Sequence, residues 1–193
     1  MKYNRTAIFL CVFAVMPMRT VTRLAPGTGN ADVKVLGTSN VHDWSMEDKF
    51  VTCTAQFMFE QGKTLPVSLT TFSFSFPVHD LKSGKSGMDS KAYDAMKAKT
   101  QGNIVFTASS SRIIPGANNL FTVKSKGSLT IAGVTKPVAL TAACILKAYG
   151  TITCAGTDTL LMSDYQIKPP TYMLGALKTG NKLTIDFTMI VQK

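Results

Sequence analysis

The sequence predicts an all-β fold: an eight-stranded antiparallel barrel with one short helix at about residues 90–99. Three observations lead there. Apolar side chains recur on every second residue along most of the chain, which is the period of a half-buried strand. Gly, Asn and Pro interrupt these rows at short intervals, as antiparallel neighbours require. About eight rows can be counted, each apolar on one face only. An open sandwich would satisfy one-sided rows too. Closure, however, removes exposed edges, and roughly eight strands is the count at which a barrel interior can hold one small ligand.

The first segment stands apart from this pattern. Lys2 and Arg5 precede ten apolar residues, 7–16, in the manner of a secretory signal. That run is shorter than the about 20 residues needed to span a bilayer. Cleavage is expected between Ala14 and Ala31, which divides the chain into a leader over 1–30 and a barrel domain over 31–193. The net charge of +10 includes Lys2, Arg5, Arg19 and Arg23 of this leader; without them 17 basic and 11 acidic residues leave +6. That charge serves solubility or a basic rim facing anionic lipid headgroups. No block of Lys and Arg is interleaved with stacking aromatics, so no nucleic-acid partner is expected.

The strands follow in order. Val33 and Val35 mark the first, over 32–36, before the bend 37–40. Val51, Cys53, Ala55, Phe57 and Phe59 share a face of the second. Phe72, Phe74, Phe76 and Val78 share a face of the third, the strongest alternation in the chain. A Ser/Gly/Lys loop over 82–87 leads to a helix over 91–99, with Asp89 or Ser90 as its cap. So short a helix must dock, and one mouth of the barrel is the natural place.

Ile104 and Phe106 open the next strand, which turns at 115–119 into a row of Phe121, Val123, Leu129 and Ile131. A bend or bulge is expected at 125–127 within that row. Gly133 then turns the chain into Val138 and Leu140, and Ile152 and Cys154 follow. Residues 172–177 suggest one turn of helix. Thr179-Gly180-Asn181 turns into the last row, Leu183, Ile185, Phe187, Met189 and Val191.

Without the leader three cysteines remain, an odd number for an exported chain. A hairpin turning at Ala148-Tyr149-Gly150 pairs Lys147 with Thr151 and sets Cys144 opposite Cys154. Facing Cα atoms in a non-hydrogen-bonded pair approach to about 4.5 Å, near the short end of disulfide geometry. Cys144 and Cys154 are therefore a candidate disulfide, with two buried thiols as the alternative.

Four stretches together resemble the YceI-like family, the lipocalin-like polyisoprenoid-binding proteins of bacteria. They are GTSNVHDW at 37–44, the segment from Met88-Asp89 to Ile104-Val105-Phe106, GSLTIAGVTKPV at 127–138, and Asp164-Tyr165 with GNKLTI at 180–185. The third is the most specific. The resemblance implies an extended antiparallel barrel holding a long lipid, a polyprenyl chain or quinone, in its bore, and export to the periplasm. The HDW-type start is a departure from many members, and the cysteine pair is not a family feature.

A linear apolar ligand needs a dry tunnel and no catalytic residue. Burying ten methylenes supplies roughly 8 kcal/mol gross, about micromolar affinity. The candidate cavity lining is Trp44, Phe57, Phe72, Phe74, Phe76 and Phe106, with Leu129, Ile131, Leu140, Phe187 and Met189. Tyr172 and Met173, beside Pro169-Pro170, form a candidate mouth flap; Lys168 and Lys178 flank it and suit a pyrophosphate or an anionic membrane surface. Filled-core packing is the competing reading of the same rows.

His42-Asp43 and His79-Asp80 are the histidine–acid pairs. His42-Asp43 fits a headgroup contact or a general base, but turn architecture is the simpler reading, with Asp43 bonding backbone N–H groups. No G-x-S-x-G elbow, P-loop or G-x-G-x-x-G is present, and two histidines make a poor zinc site. No catalytic residue, metal or cofactor is expected. The chain reads as an exported, non-enzymatic lipid-binding protein; a partner-binding module with a packed core and a lipid-modifying enzyme using His42 and Asp43 are the alternatives.

Overall fold

The computed structural model describes residues 21–23 and 27–192. Ten strands and one helix are laid out along it: β1 (Val21–Arg23), β2 (Gly27–Ser39), β3 (Trp44–Glu60), β4 (Ser68–Pro77), α1 (Ser86–Ala95), β5 (Asn103–Pro115), β6 (Leu120–Ile131), β7 (Val134–Leu146), β8 (Ile152–Leu161), β9 (Thr171–Tyr172) and β10 (Leu177–Val191). Eight of them close into an antiparallel barrel in the order β3-β2-β10-β8-β7-β6-β5-β4, with β4 pairing back onto β3. β1 continues the line of β2 along the far end of β3, through Val21↔Glu60 to Arg23↔Met58. The apolar run of the expected signal lies outside the described residues.

The ladders are uneven. β6 and β7 pair without interruption from Leu120↔Ile145 to Ile131↔Val134, turning at Ala132 and Gly133, both with positive φ. β7 and β8 pair only from Ala143↔Ala155 to Leu146↔Ile152. Cys144 lies opposite Cys154 within those few rungs, and the two form a disulfide. The hairpin arithmetic holds at its tip as well: the Lys147 N–H donates to the Thr151 carbonyl at 2.8 Å.

Several boundaries differ from the expected ones, for identifiable reasons. β2 begins at Gly27, ahead of the strand expected over 32–36, because its inward positions there are glycines. A Cβ on Gly29 would meet Cys53 Sγ at 3.0 Å and Val191 Cγ2 at 3.1 Å, so the row continues with its side chains removed. β3 begins at Trp44, well before the row that opens at Val51. A bulge between the Val33↔Asp48 and Ala31↔Val51 pairs inverts the parity, so Met46 and Val51 both end up buried. The Asp48 carboxylate stabilises that bulge by accepting the Phe50 N–H at 2.9 Å, and Phe50 is left 85% exposed.

The irregularity expected at 125–127 sits in the partner strand, between Ala108 and Ser110 of β5, while β6 runs straight. Gly127 faces it, and a Cβ there would come within 2.8 Å of Phe106 Cζ. Residues 179–181 form a bulge inside β10 instead of a turn before it. The expected helical turn at 172–177 is a short hairpin, β9 with the start of β10, closed by a 3-10 turn at Met173–Gly175.

α1 spans Ser86–Ala95, earlier than residues 91–99. Asp89 lies inside it, not at its cap, and its Oδ1 accepts from the Ser83 N–H at 2.8 Å and from the Ser83 hydroxyl at 2.6 Å. Those bonds tie the first turn to the preceding loop, which draws the helix start toward the glycines.

The strand directions place four connections at one end of the barrel: the β2–β3 turn, the α1 crossover, the β6–β7 turn and the crossover from β8 to β10. The opposite end carries the β3–β4, β5–β6 and β7–β8 connections. These two ends are built differently.

Candidate functional site

At the second end the interior is filled. Phe57 and Phe121 meet edge-to-face with ring centroids 6.1 Å apart. Val123, Ile152, Val191 and the Cys144–Cys154 bridge are buried in the same closed half. None of these lines the cavity at the other end. Toward the first end the inward rows part and enclose a cavity of about 500 Å³. That lies within the roughly 300–1,000 Å³ usual for small-molecule sites.

One wall of the cavity is aromatic. Phe72, Phe74 and Phe76 project inward from β4 and Phe106 from β5, with Phe74 directly opposite Phe106. The Phe106 ring lies 5.3 Å from both Phe72 and Phe74, and Phe74 lies 6.2 Å from both Phe72 and Phe76. Such spacings are favourable for tilted and offset rings. Leu129, Ile131 and Leu140 extend this wall across β6 and β7, and Phe187 and Met189 bring in β10. Trp44 stands at the mouth, where its indole N–H donates to the Thr38 carbonyl at 3.0 Å.

Tyr172 and Met173 also reach the cavity, so twelve of the thirteen candidate residues meet there. Phe57 does not. It lies below the cavity in the packed half, since alternation along a strand assigns a side of the sheet and not a height in the barrel.

The structure adds lining residues beyond the thirteen candidates. Met88, Ala92, Ala95 and Met96 come from α1 and the turn after it, which lies over the mouth. Met46 enters because of the β3 bulge. Met162 and Ile167 enter from the crossover after β8. Cys53 lines the wall as a free thiol, 1% exposed, and burial pushes its pKa up to about 11. A helix-period reading of Met88, Ala92, Ala95 and Met96 carries the α1 signal.

Polar groups are few, and several gather at the rim: Ser39, His42, Lys85 and Thr179. The β2–β3 turn is organised by Ser39, not by Asp43. The Ser39 hydroxyl donates to the His42 carbonyl at 2.7 Å and accepts the N–H groups of Val41 and His42. His42 Nδ1 lies 2.9 Å from the Asp43 carbonyl. Asn40 fastens this turn to the opposite flap: its amide donates to the Ala176 carbonyl and its carbonyl accepts the Lys178 N–H, each at 2.8 Å. Burial, aided by the charge of Asp89, raises the Tyr172 pKa.

His79 packs edge-on against Tyr93 with centroids 4.5 Å apart, and the Tyr93 hydroxyl donates to the Leu81 carbonyl at 2.7 Å. That pair anchors the loop before α1. Among the described residues no group of three His, Cys, Asp or Glu side chains is placed to hold a metal ion.

Comparison with known proteins agrees with this architecture. The family model of the YceI-like domain matches residues 28–191. No curated protein sequence matches. Among solved structures, BcnA of Burkholderia cenocepacia superposes with a TM-score of 0.64 at 16% identity, over 83% of this chain and 95% of that one. A polyisoprenoid binding domain from Saccharophagus degradans superposes with a TM-score of 0.65 at 8% identity, over 87% and 99%. The YCEI protein of Campylobacter jejuni does so with a TM-score of 0.54 at 16% identity, over 100% and 99%. The closed eight-stranded barrel, its crossover helix and the match over nearly all of the described residues converge on one conclusion: this chain belongs to the YceI-like domain family.

Proposed function

We propose that this protein is an exported carrier that holds one long-chain lipid, a polyisoprenoid, quinone or similar molecule, in its barrel for transport or storage, without chemical turnover. The observation that carries this reading is the cavity: about 500 Å³ of open space with a largely apolar wall, closed below by packed side chains and with few polar groups. An apolar chain gains free energy there by leaving water, and no hydrogen-bond donor has to be satisfied along the wall. The ligand named for the Saccharophagus degradans domain, a polyisoprenoid, has this character.

Export to the periplasm is supported by the Lys2/Arg5 and apolar-run pattern at the start of the chain. The Cys144–Cys154 disulfide adds to it, because such bonds persist in oxidising compartments. Delipidated protein titrated with a fluorescent polyprenyl analogue is expected to bind saturably at about micromolar concentration or below. Phe74→Trp, which fills the bore, is expected to abolish that binding. Absence of saturable binding for polyprenyl, quinone and fatty-acyl probes alike would remove the carrier reading.

A further inference from the structure

We propose that the rim of the cavity is a membrane-docking surface: Val41 and Leu174 insert into the outer layer of an anionic bilayer while Lys168 and Lys178 meet its headgroups. The two apolar side chains come from different connections and are held together. Asn40, next to Val41, bonds to the Ala176 carbonyl and the Lys178 N–H of the flap that carries Leu174. Val41 is 67% exposed, and on the flap Met173 is 80% exposed and Leu174 fully exposed. Isolated apolar residues on a surface are ordinary, but adjacent ones at the opening of an apolar cavity mark an interaction site.

The backbone supports the same reading. Met173, Leu174 and Gly175 all have positive φ, at 50°, 54° and 93°. Left-handed geometry is unfavourable for a leucine, yet here it projects the side chain outward from the rim. Charge complementarity selects the partner. The described residues contain one ion pair, Lys49 with Glu47, so Lys168 and Lys178 are free to face anionic headgroups. Two or three aliphatic side chains and two lysines give shallow, reversible attachment, unlike a spanning segment. A carrier needs that reversibility.

The inference rests on the carrier reading only for its purpose, and its test is separate. Neither Val41 nor Leu174 lines the cavity, so substituting them leaves the binding wall intact. The full folded protein is sedimented with vesicles of equal phosphatidylglycerol and phosphatidylcholine, and with vesicles of phosphatidylcholine alone. Partition is expected to be stronger on the anionic vesicles and to fall as salt rises. Val41→Ser/Leu174→Ser is expected to lower it by about a hundredfold, since each side chain contributes roughly tenfold on leaving water. Lys168→Gln/Lys178→Gln is expected to remove the preference for anionic lipid.

Polyprenyl titration of Val41→Ser/Leu174→Ser is expected to match the parent. If vesicle binding persists while the parent takes up no lipid probe, docking stands and the carrier reading fails. Equal partition of parent and Val41→Ser/Leu174→Ser, or no partition of either, overturns the docking surface. So does a concentration-dependent dimer that the same substitutions dissolve, which would make the tip a contact between copies of this chain.

Discussion

Gly37 faces Trp44 across β2 and β3, and a Cβ on the glycine would stand 2.7 Å from Trp44 Cη2. The indole occupies the space that any other residue would fill. This pairing explains why a glycine opens the GTSNVHDW stretch and how the single tryptophan of the sequence reaches the cavity mouth. Gly37→Ala is therefore expected to displace the indole, shift its fluorescence emission and cost about 1–3 kcal/mol of stability. An unchanged emission maximum would mean that the ring had not moved. In the parent, lipid binding is expected to change the same signal.

The Cys144–Cys154 bridge lies in the shortest ladder of the barrel, between β7 and β8. Its two residues are 10 apart in sequence. Closing so short a loop is worth about 3 kcal/mol through the unfolded chain. Replacing both cysteines by alanine is expected to lower Tm by roughly 5–10 °C. Hydrogen exchange should accelerate first at Ala143 and Ala155, beside the lost bridge. Uniform acceleration across the barrel would argue against a weak seam there.

Phe121 and Phe74 are both inward phenylalanines, but they do different work. Phe121 is packed on all sides and touches Phe57, so Phe121→Ala is expected to cost about 3–5 kcal/mol in a denaturant titration. Phe74 has open space on one side, where there are no partner atoms to lose. Phe74→Ala is expected to cost clearly less stability while changing lipid affinity. Equal stability losses would mean that the cavity closes in solution.

Cys53 gives the protein an alkaline limit. Burial disfavours the thiolate and pushes its folded pKa up to about 11. Folding thus favours the protonated thiol. The associated stability is complete below about pH 9 and declines as pH rises toward 11. Cys53→Ala is expected to flatten that part of the stability profile, and iodoacetamide should label Cys53 only in denaturant. Labelling of the folded protein at neutral pH would contradict the burial.

What could be read in advance was set by local geometry. Phe72, Phe74 and Phe76 were legible because nothing interrupts their inward row in β4. The Cys144–Cys154 pairing was legible because a tight hairpin leaves little choice of register. The start of β2 was hidden by the inward glycines at 27 and 29, which carry no hydrophobic signal. The first half of β3 was hidden by the bulge before Val51, which reverses which residues face inward. The irregularity near Gly127 lies in the strand opposite, because a glycine and the bulge facing it serve one close approach.

Period-2 alternation by itself determined which side of most strands turns from water, and with it the greasy character of the interior. It contained nothing about depth along the axis. Only the assembled barrel decided that Phe57 and Phe121 meet in a packed half while Phe74 and Phe106 border an open one. The reason is that filling depends on how closely opposite walls approach. That distance is set jointly by strands remote in sequence, by Gly29 against Cys53 and Val191, and by the helix laid across the mouth.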